Sequence, residues 1–353
     1  MTACVVHGRL AETPGKMPTE TLAWVGRLPR ADMPWSVAAE HISVSESRVA
    51  VLDHGVVVPE SPYKERFRDG AIIYPLVLTY VKEGPSGPFG AGAGRRSVVS
   101  LRSVHEPWAA CEPLAGNVES RFVRRVYLGE SVLPFRVIEP REAVLPVTDK
   151  GILTSDEIEF HDGLSAWWST AEESWAKYKA KSESRPFLER LDHHGQLAAQ
   201  FPIAPVRIAF TKTGTVLAAA IIREPDAIID HSLYWMPVMV EAEAHYLTAI
   251  LNSAPLLSEV KPLQAIGLYG ARHFDKNVFA VPFPTYDNRQ SLHVDLATLG
   301  KEAEEAAATV DVSGVRRFQA ARRLIREHLA ETGIEARIVE AVTQLLLATA
   351  SQE

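Results

Sequence analysis

The chain has 353 residues, 46% hydrophobic, 23% charged and 8% aromatic, with a formal net charge of −7. That composition excludes a disordered, collagenous or disulfide-stapled protein. Cys4 and Cys111 are too few for a cysteine-built zinc site. No apolar run approaches the roughly 18 residues that span a bilayer, and no basic-then-apolar leader opens the sequence. A soluble, cytoplasmic protein of two or three domains with no membrane partner is expected. The acidic balance argues against nucleic acid unless basic residues concentrate locally.

In chain order, residues 1–40 read as a loop-rich segment, punctuated by Pro14-Gly15, Pro18, Pro29 and Pro34. Residues 41–150 read as a β-rich domain, with strands expected at 41–51, 71–81, 97–104, 121–126 and 132–138. A helical connector is expected over 151–200. There Leu164, Trp168, Ala171, Trp175 and Tyr178 share one helical face, with Asp156 and Asp162 as N-cap candidates. Residues 201–290 mix both element types: strands at 206–211 and 216–222 flank the turn Lys212-Thr213-Gly214, a helix is expected over 241–251, and 279–284 is extended by its prolines. Residues 291–353 form a helical region, with helices at 292–309, 315–331 and 334–350. The fold class is therefore α+β.

Several chemical motifs fail their contextual tests. The glycine run at 90–94 is followed by the strand-like Arg95-Arg96-Ser97-Val98-Val99, where a phosphate cradle needs a helix N-terminus. Asp192-His193-His194 places two histidines side by side, where their side chains diverge, so a turn or surface role is expected rather than a metal site. No nucleophile elbow or metalloprotease motif is present, so no catalytic set and no metal ligands are assigned. The aromatic stripe Trp168, Trp175 and Tyr178 reads as core packing rather than as base-stacking surface.

The arginines say more. Residues 94–141 hold eight arginines, no lysine and five glutamates, a net +3. Arginine offers a planar fork for phosphate and guanine edges. A second cluster is Arg316, Arg317, Arg322, Arg323 and Arg326, of which Arg316, Arg322, Arg323 and Arg326 share one arc of the 315–331 helix opposite Phe318, Ala321, Ile325 and Leu329. A third basic tip is Arg272-His273-Phe274-Asp275-Lys276, after Gly267 and Gly270.

One ordered series of motifs resembles a known family. It runs from Val206-Arg207-Ile208-Ala209-Phe210-Thr211-Lys212-Thr213-Gly214-Thr215 through Ala218-Ala219-Ala220 and Ile229-Asp230-His231-Ser232-Leu233-Tyr234-Trp235. Glu243-Ala244-His245-Tyr246-Leu247, Ile250-Leu251-Asn252-Ser253, the 267–276 segment and Val281-Pro282-Phe283-Pro284 follow. Upstream, Glu106-Pro107-Trp108, Leu114-Ala115-Gly116-Asn117-Val118-Glu119 and Leu133-Pro134-Phe135-Arg136 belong to the same pattern. Across residues 60–350 the chain resembles the C-terminal target-recognition half of large adenine-N6 DNA methyltransferases of restriction-modification and phage-defence systems.

The resemblance implies a β-rich target-recognition domain, a mixed α/β recognition segment and a helical C-terminal region that bind duplex DNA. It also implies S-adenosylmethionine on a catalytic domain. This sequence contains no Pro-Pro dipeptide, and hence no Asn/Asp-Pro-Pro-aromatic motif, and no glycine motif in the right context. No complete methyltransferase Rossmann-like domain is therefore expected. The chain reads as a specificity part that is inactive alone, with no cofactor of its own and a catalytic domain that is missing or supplied by another chain. The DNA-contacting residues expected are Arg95, Arg96, Arg102, Arg124, Arg125, Arg272, His273 and Lys276. The alternative is a protein-interaction subunit that docks a methyltransferase or defence-complex partner through the apolar 338–347 helix face.

Overall fold

A computed structural model describes residues 20–26, 28–30, 32–48, 60–85, 90–264, 266–267, 270–271 and 273–350. The strands of its two main sheets are, in chain order, β1 (Arg68–Asp69), β2 (Tyr80–Glu83), β3 (Arg95–Ser100), β4 (Ala115–Glu119), β5 (Val123–Tyr127), β6 (Arg141–Val144), β7 (Arg207–Thr211), β8 (Ala219–Ile222), β9 (Ile228–Ile229) and β10 (Leu233–Pro237). The longer helices are α1 (Asp162–Tyr178), α2 (Glu241–Leu251), α3 (Ser291–Thr309), α4 (Phe318–Glu331) and α5 (Ile334–Ala350). The α+β class expected from the sequence holds.

Six strands pair in the order β9-β5-β6-β2-β3-β4, antiparallel except for the parallel β9–β5 contact. The second sheet, β8-β7-β10-β1, is antiparallel throughout. Each sheet borrows from the other's stretch of chain: β9 completes the first and β1 the second. Both faces of the second sheet are buried. Ile208, Phe210, Ile221 and Met236 join the core that includes α2 to α5, while Ala209, Ala220, Leu233 and Trp235 pack with Tyr127 and Ile229 of the first sheet. That two-sided burial explains why β7 has no exposed residue.

Helix α1 buries the face its spacing implies: Leu164, Trp168, Ala171 and Trp175 are buried, Tyr178 is half-buried, and the Trp167 indole donates to the Leu78 carbonyl at 3.1 Å. Its first turn is not capped by Asp156 or Asp162. Glu119, at the end of β4, accepts from Gly163 N at 3.0 Å and Leu164 N at 2.9 Å. A carboxylate from a neighbouring strand thus satisfies the free amides and complements the helix dipole. Thr154 caps the preceding short helix Ser155–Glu159 in a capping box with Glu157.

Several local expectations change. The single strand expected at 132–138 is a tight hairpin, Val132–Leu133 paired with Arg136–Val137 around Pro134-Phe135. The segment expected to be loop-rich contains an antiparallel hairpin, Glu20–Gly26 with Ile42–Arg48, and Pro29 and Pro34 lie in its connection; residues 1–19 lie outside the described residues. The strand expected at 71–81 begins only at Tyr80. Pro75 instead stands, in extended conformation, as the N-cap of a helical turn, Leu76–Thr79, and Thr79 Oγ1 donates to its carbonyl at 3.0 Å. Farther along, α2 and α3 pack backbone to backbone: a Cβ on Gly300 would lie 2.1 Å from the His245 carbonyl oxygen.

The two sheets meet at a buried carboxylate. Asp230 accepts from the Tyr80 hydroxyl at 3.2 Å, from His231 Nδ1 at 3.0 Å, and from the Ser232 amide and hydroxyl at 2.9 and 2.7 Å. Burial pushes its pKa up, but the hydrogen bonds from His231 and Ser232 outweigh it and hold the carboxyl below the usual aspartate range. A depressed folded-state pKa contributes stability that is present above the ordinary value of about 3.9 and is lost as pH falls through the folded value. Urea midpoints measured from pH 6 downward are therefore expected to fall more steeply below about pH 4 for the wild type than for Asp230→Asn; parallel curves would remove Asp230 as the link.

Candidate nucleic-acid interface

The structure divides the expected arginines into paired, buried and exposed sets. Arg95 on β3 lies 3.1 Å from Glu119 and 3.2 Å from Asp162, and so reinforces the cap of α1. Arg96 makes a bidentate pair with Glu142 of β6 at 2.6 and 2.8 Å. Arg102 pairs with Glu112 at 3.1 Å at the surface. Arg124 does not fit a DNA-contacting role in this fold: it is 6% exposed, and its Nε donates to the Asp226 carbonyl at 3.1 Å. Arg125, the next residue on β5, points to the other face; it is exposed and forms no ion pair with a described residue. Strand alternation separates these two neighbours.

The expected arginine face on the 315–331 stretch is also divided. The helix starts at Phe318, so the exposed Arg316 and Arg317 precede it. Arg322 is buried, with Nη2 on the Gly129 and Val132 carbonyls at 2.5 and 2.9 Å. Arg326 is half-buried and donates to the carbonyls of Leu217 at 2.8 Å and Asn252 at 3.3 Å. Burial lowers both guanidinium pKa values, that of Arg322 to about 10. Within the helix itself Arg323 is the exposed arginine of the arc, beside Glu327 at 3.5 Å.

The third basic tip gathers into a cluster. After β7 the chain turns at Lys212-Thr213-Gly214. Thr213 bridges His273, and the Phe274 amide donates to the Lys212 carbonyl at 2.8 Å. The buried Phe274 ring anchors the segment, leaving His273 exposed and Lys276 half-buried. Lys212 Nζ lies 4.3 Å from the ring centroid of Tyr234 on β10 and pairs with Asp69 on β1. Lys276 Nζ lies 6.0 Å from the same ring. Burial, with Asp69 and Asp275 nearby, pushes the Tyr234 phenol up to about 12, so it stays neutral at physiological pH. Arg272 lies outside the described residues.

The sequence marks Lys212 only as a turn residue and Tyr234 only as part of a resemblance. Its readable signal was a lysine at the tip of a hairpin between two buried strands. Lys276 makes no ion pair with a described residue, whereas the Lys212 side chain is 15% exposed and held by Asp69, so Lys276 is the ammonium open to a phosphate-bearing ligand and Lys212 meets one only by giving up Asp69.

The other chemical candidates are bland in the fold. Gly90, Gly92 and Gly94 have positive φ and open space where a Cβ would stand, and they lead into β3 rather than a helix. This run therefore lacks the architecture of a cofactor cradle. His193 and His194 form a 3₁₀ turn, and Asp192 holds it by accepting from the Leu197 and Ala198 amides at 3.0 and 2.9 Å. Among the described residues no group of three or more metal-ligating side chains converges. No helix there is long and apolar enough to cross a membrane.

Inward and outward arginines are expected to separate cleanly in denaturation. Arg322→Met leaves the Gly129 and Val132 carbonyls without this donor and is expected to cost about 2–3 kcal/mol, whereas Arg125→Ala is expected to stay within about 0.5 kcal/mol. Equal urea midpoints for the two variants would contradict the assignment.

No family model matches the chain, and no curated protein matches it. Among solved structures, the chain is similar to MmeI, a Type IIL restriction-modification enzyme determined in complex with DNA, at a TM-score of 0.40 and 12% sequence identity. The match covers 65% of this chain and 31% of that one, so it spans under a third of that enzyme's length. A likeness this weak fixes neither fold family nor activity.

Proposed function

We propose that this chain is the DNA target-recognition part of an adenine-specific DNA methyltransferase. Methyl transfer, and S-adenosylmethionine with it, then belongs to a separate catalytic part. The observation that carries this reading is the convergence of Lys212, His273 and Lys276 at loop tips beside Tyr234. These residues come from two separate motifs of the family-like series, and the fold puts them side by side. Phosphate contacts from Lys276, and from Lys212 as the phosphate takes the place of Asp69, position the duplex, and the neighbouring loops supply base-edge contacts. Arg125 is the exposed arginine of the first sheet that can add to them.

Less of the helix face offered by the docking alternative is open: Ile338, Ala341, Val342 and Leu345 of α5 are buried in the core of this chain, while Leu347 is 64% exposed.

Titration of a duplex at several salt concentrations tests the proposal. Binding is expected to weaken linearly with log salt, and Lys212→Glu with Lys276→Glu is expected to reduce that slope by about 1 for each phosphate contact removed. Absence of binding at low salt, a flat slope, or a charge-reversed variant that binds like the wild type would overturn it.

A further inference from the structure

The aromatic stripe of α1 does more than fill the core. At the C-terminal end of α1, Trp175 stacks on Trp108 with centroids 5.6 Å apart and planes 12° apart. The Tyr178 ring lies 5.9 Å from Trp108, and its hydroxyl donates to the Ala110 carbonyl at 3.1 Å. Tyr74 stands edge-on to Trp108 at 6.2 Å and keeps 42% of its surface exposed. These four aromatics line an open groove of about 540 Å³, within the roughly 300–1,000 Å³ typical of small-ligand clefts.

The rest of the groove wall is cationic. Lys177, Lys179, Lys181 and Arg190 line it against one acid, Glu183, a net +3 in a chain whose total is −7. Glu183 is already taken: Arg185 holds it through Nη2 at 2.5 Å and Nε at 2.8 Å, while Arg190 Nε is 3.7 Å away. Arg190 Nη1 is buried with no hydrogen-bond partner. Lys177 lies over the Tyr178 ring at 4.9 Å, Lys179 donates to the Arg185 carbonyl at 3.1 Å, and Lys181 is exposed without an ion pair to a described residue. Excess positive charge beside aromatic walls suits a ligand that is both planar and anionic.

We propose that this groove binds a nucleotide, with the base against Tyr74 and Tyr178 and the phosphate on Lys177 and Lys181. Its source is either a free mononucleotide or an unstacked nucleotide of a single strand. The groove shares no residue with the Lys212–Lys276 cluster, so the proposal stands apart from the duplex reading.

Tryptophan fluorescence of the full chain, titrated with adenosine monophosphate and separately with a short single-stranded oligothymidylate, tests it. Saturable quenching by at least one ligand is expected. Tyr74→Ala is expected to weaken that binding roughly tenfold, and Lys177→Glu with Lys181→Glu to weaken it further at low salt. Comparable affinity for both ligands identifies the free nucleotide, and tight binding of the oligonucleotide alone identifies the single strand. The surface charge variant keeps the test valid if Tyr74→Ala fails to fold. Duplex affinity is expected to be unchanged in both variants, which separates failure of this site from failure of the duplex reading. No saturable quenching by either ligand, insensitivity to both variants, or equal competition by an acidic peptide of matched charge would overturn the proposal.

Discussion

Guanidinium groups that reach main-chain carbonyls hold this fold together. Arg207 is fully buried on β7 and donates to the Ala227 and Glu224 carbonyls, both at 2.7 Å, closing the turn that leads into β9. Arg322 ties α4 to the carbonyls after β5, Arg326 ties it to the chain before β8 and after α2, and Arg136 donates to the Ala307 and Val310 carbonyls at the end of α3, at 3.2 and 2.6 Å. Taking such a charge out of water is costly, and burial pulls the Arg207 pKa down to about 10. Most of the carbonyls that receive it lie in turns or at a helix end, and those of Glu224 and Ala307 also accept a backbone amide, from Ala227 at 3.5 Å and Val310 at 3.4 Å. The arginines thus add a second, charged donor where loops are brought inside.

This use of arginine separates what the sequence discloses from what it hides. Leu164, Trp168, Ala171 and Trp175 recur at helical spacing because burial acts on a whole face, and α2, α3 and α5 are legible for the same reason. Arginine carries no comparable periodic signature. The Arg124-Arg125 pair looks uniform in sequence, yet pleating sends one inward and one outward. Whether an arginine meets a carboxylate, a carbonyl or solvent depends on contacts such as the 190-residue separation of Val132 and Arg322, which no local window contains. Charge counting therefore overstated the basic surface of 94–141, where Glu119, Glu142 and Glu112 take up Arg95, Arg96 and Arg102.

The candidate sites follow the opposite logic. Lys212, His273 and Lys276 come together because Phe274 is buried beneath a hairpin turn and carries its neighbours with it. The groove at Tyr74 exists because Trp108 and Trp175 complete a core and leave the rings beside them at its rim. In both places packing of apolar side chains decides where lysines are displayed. Lysine holds a flexible, strongly hydrated charge that favours the water boundary, whereas Arg136, Arg207, Arg322 and Arg326 turn inward to the backbone.

The close contact at Gly300 has a mechanical meaning. Two helices that touch main chain to main chain have no layer of side chains on which to slide, and Arg223 clasps them further by bridging Glu241 and Glu304 at 2.6 Å each. Helices α2 and α3 therefore form a strut, with α5 packed against both helices and β7 and β8 packed against α2. Sliding one of these helices along the other would drive the Gly300 backbone into the His245 carbonyl and break both Arg223 ion pairs, so the pair resists shear as a unit.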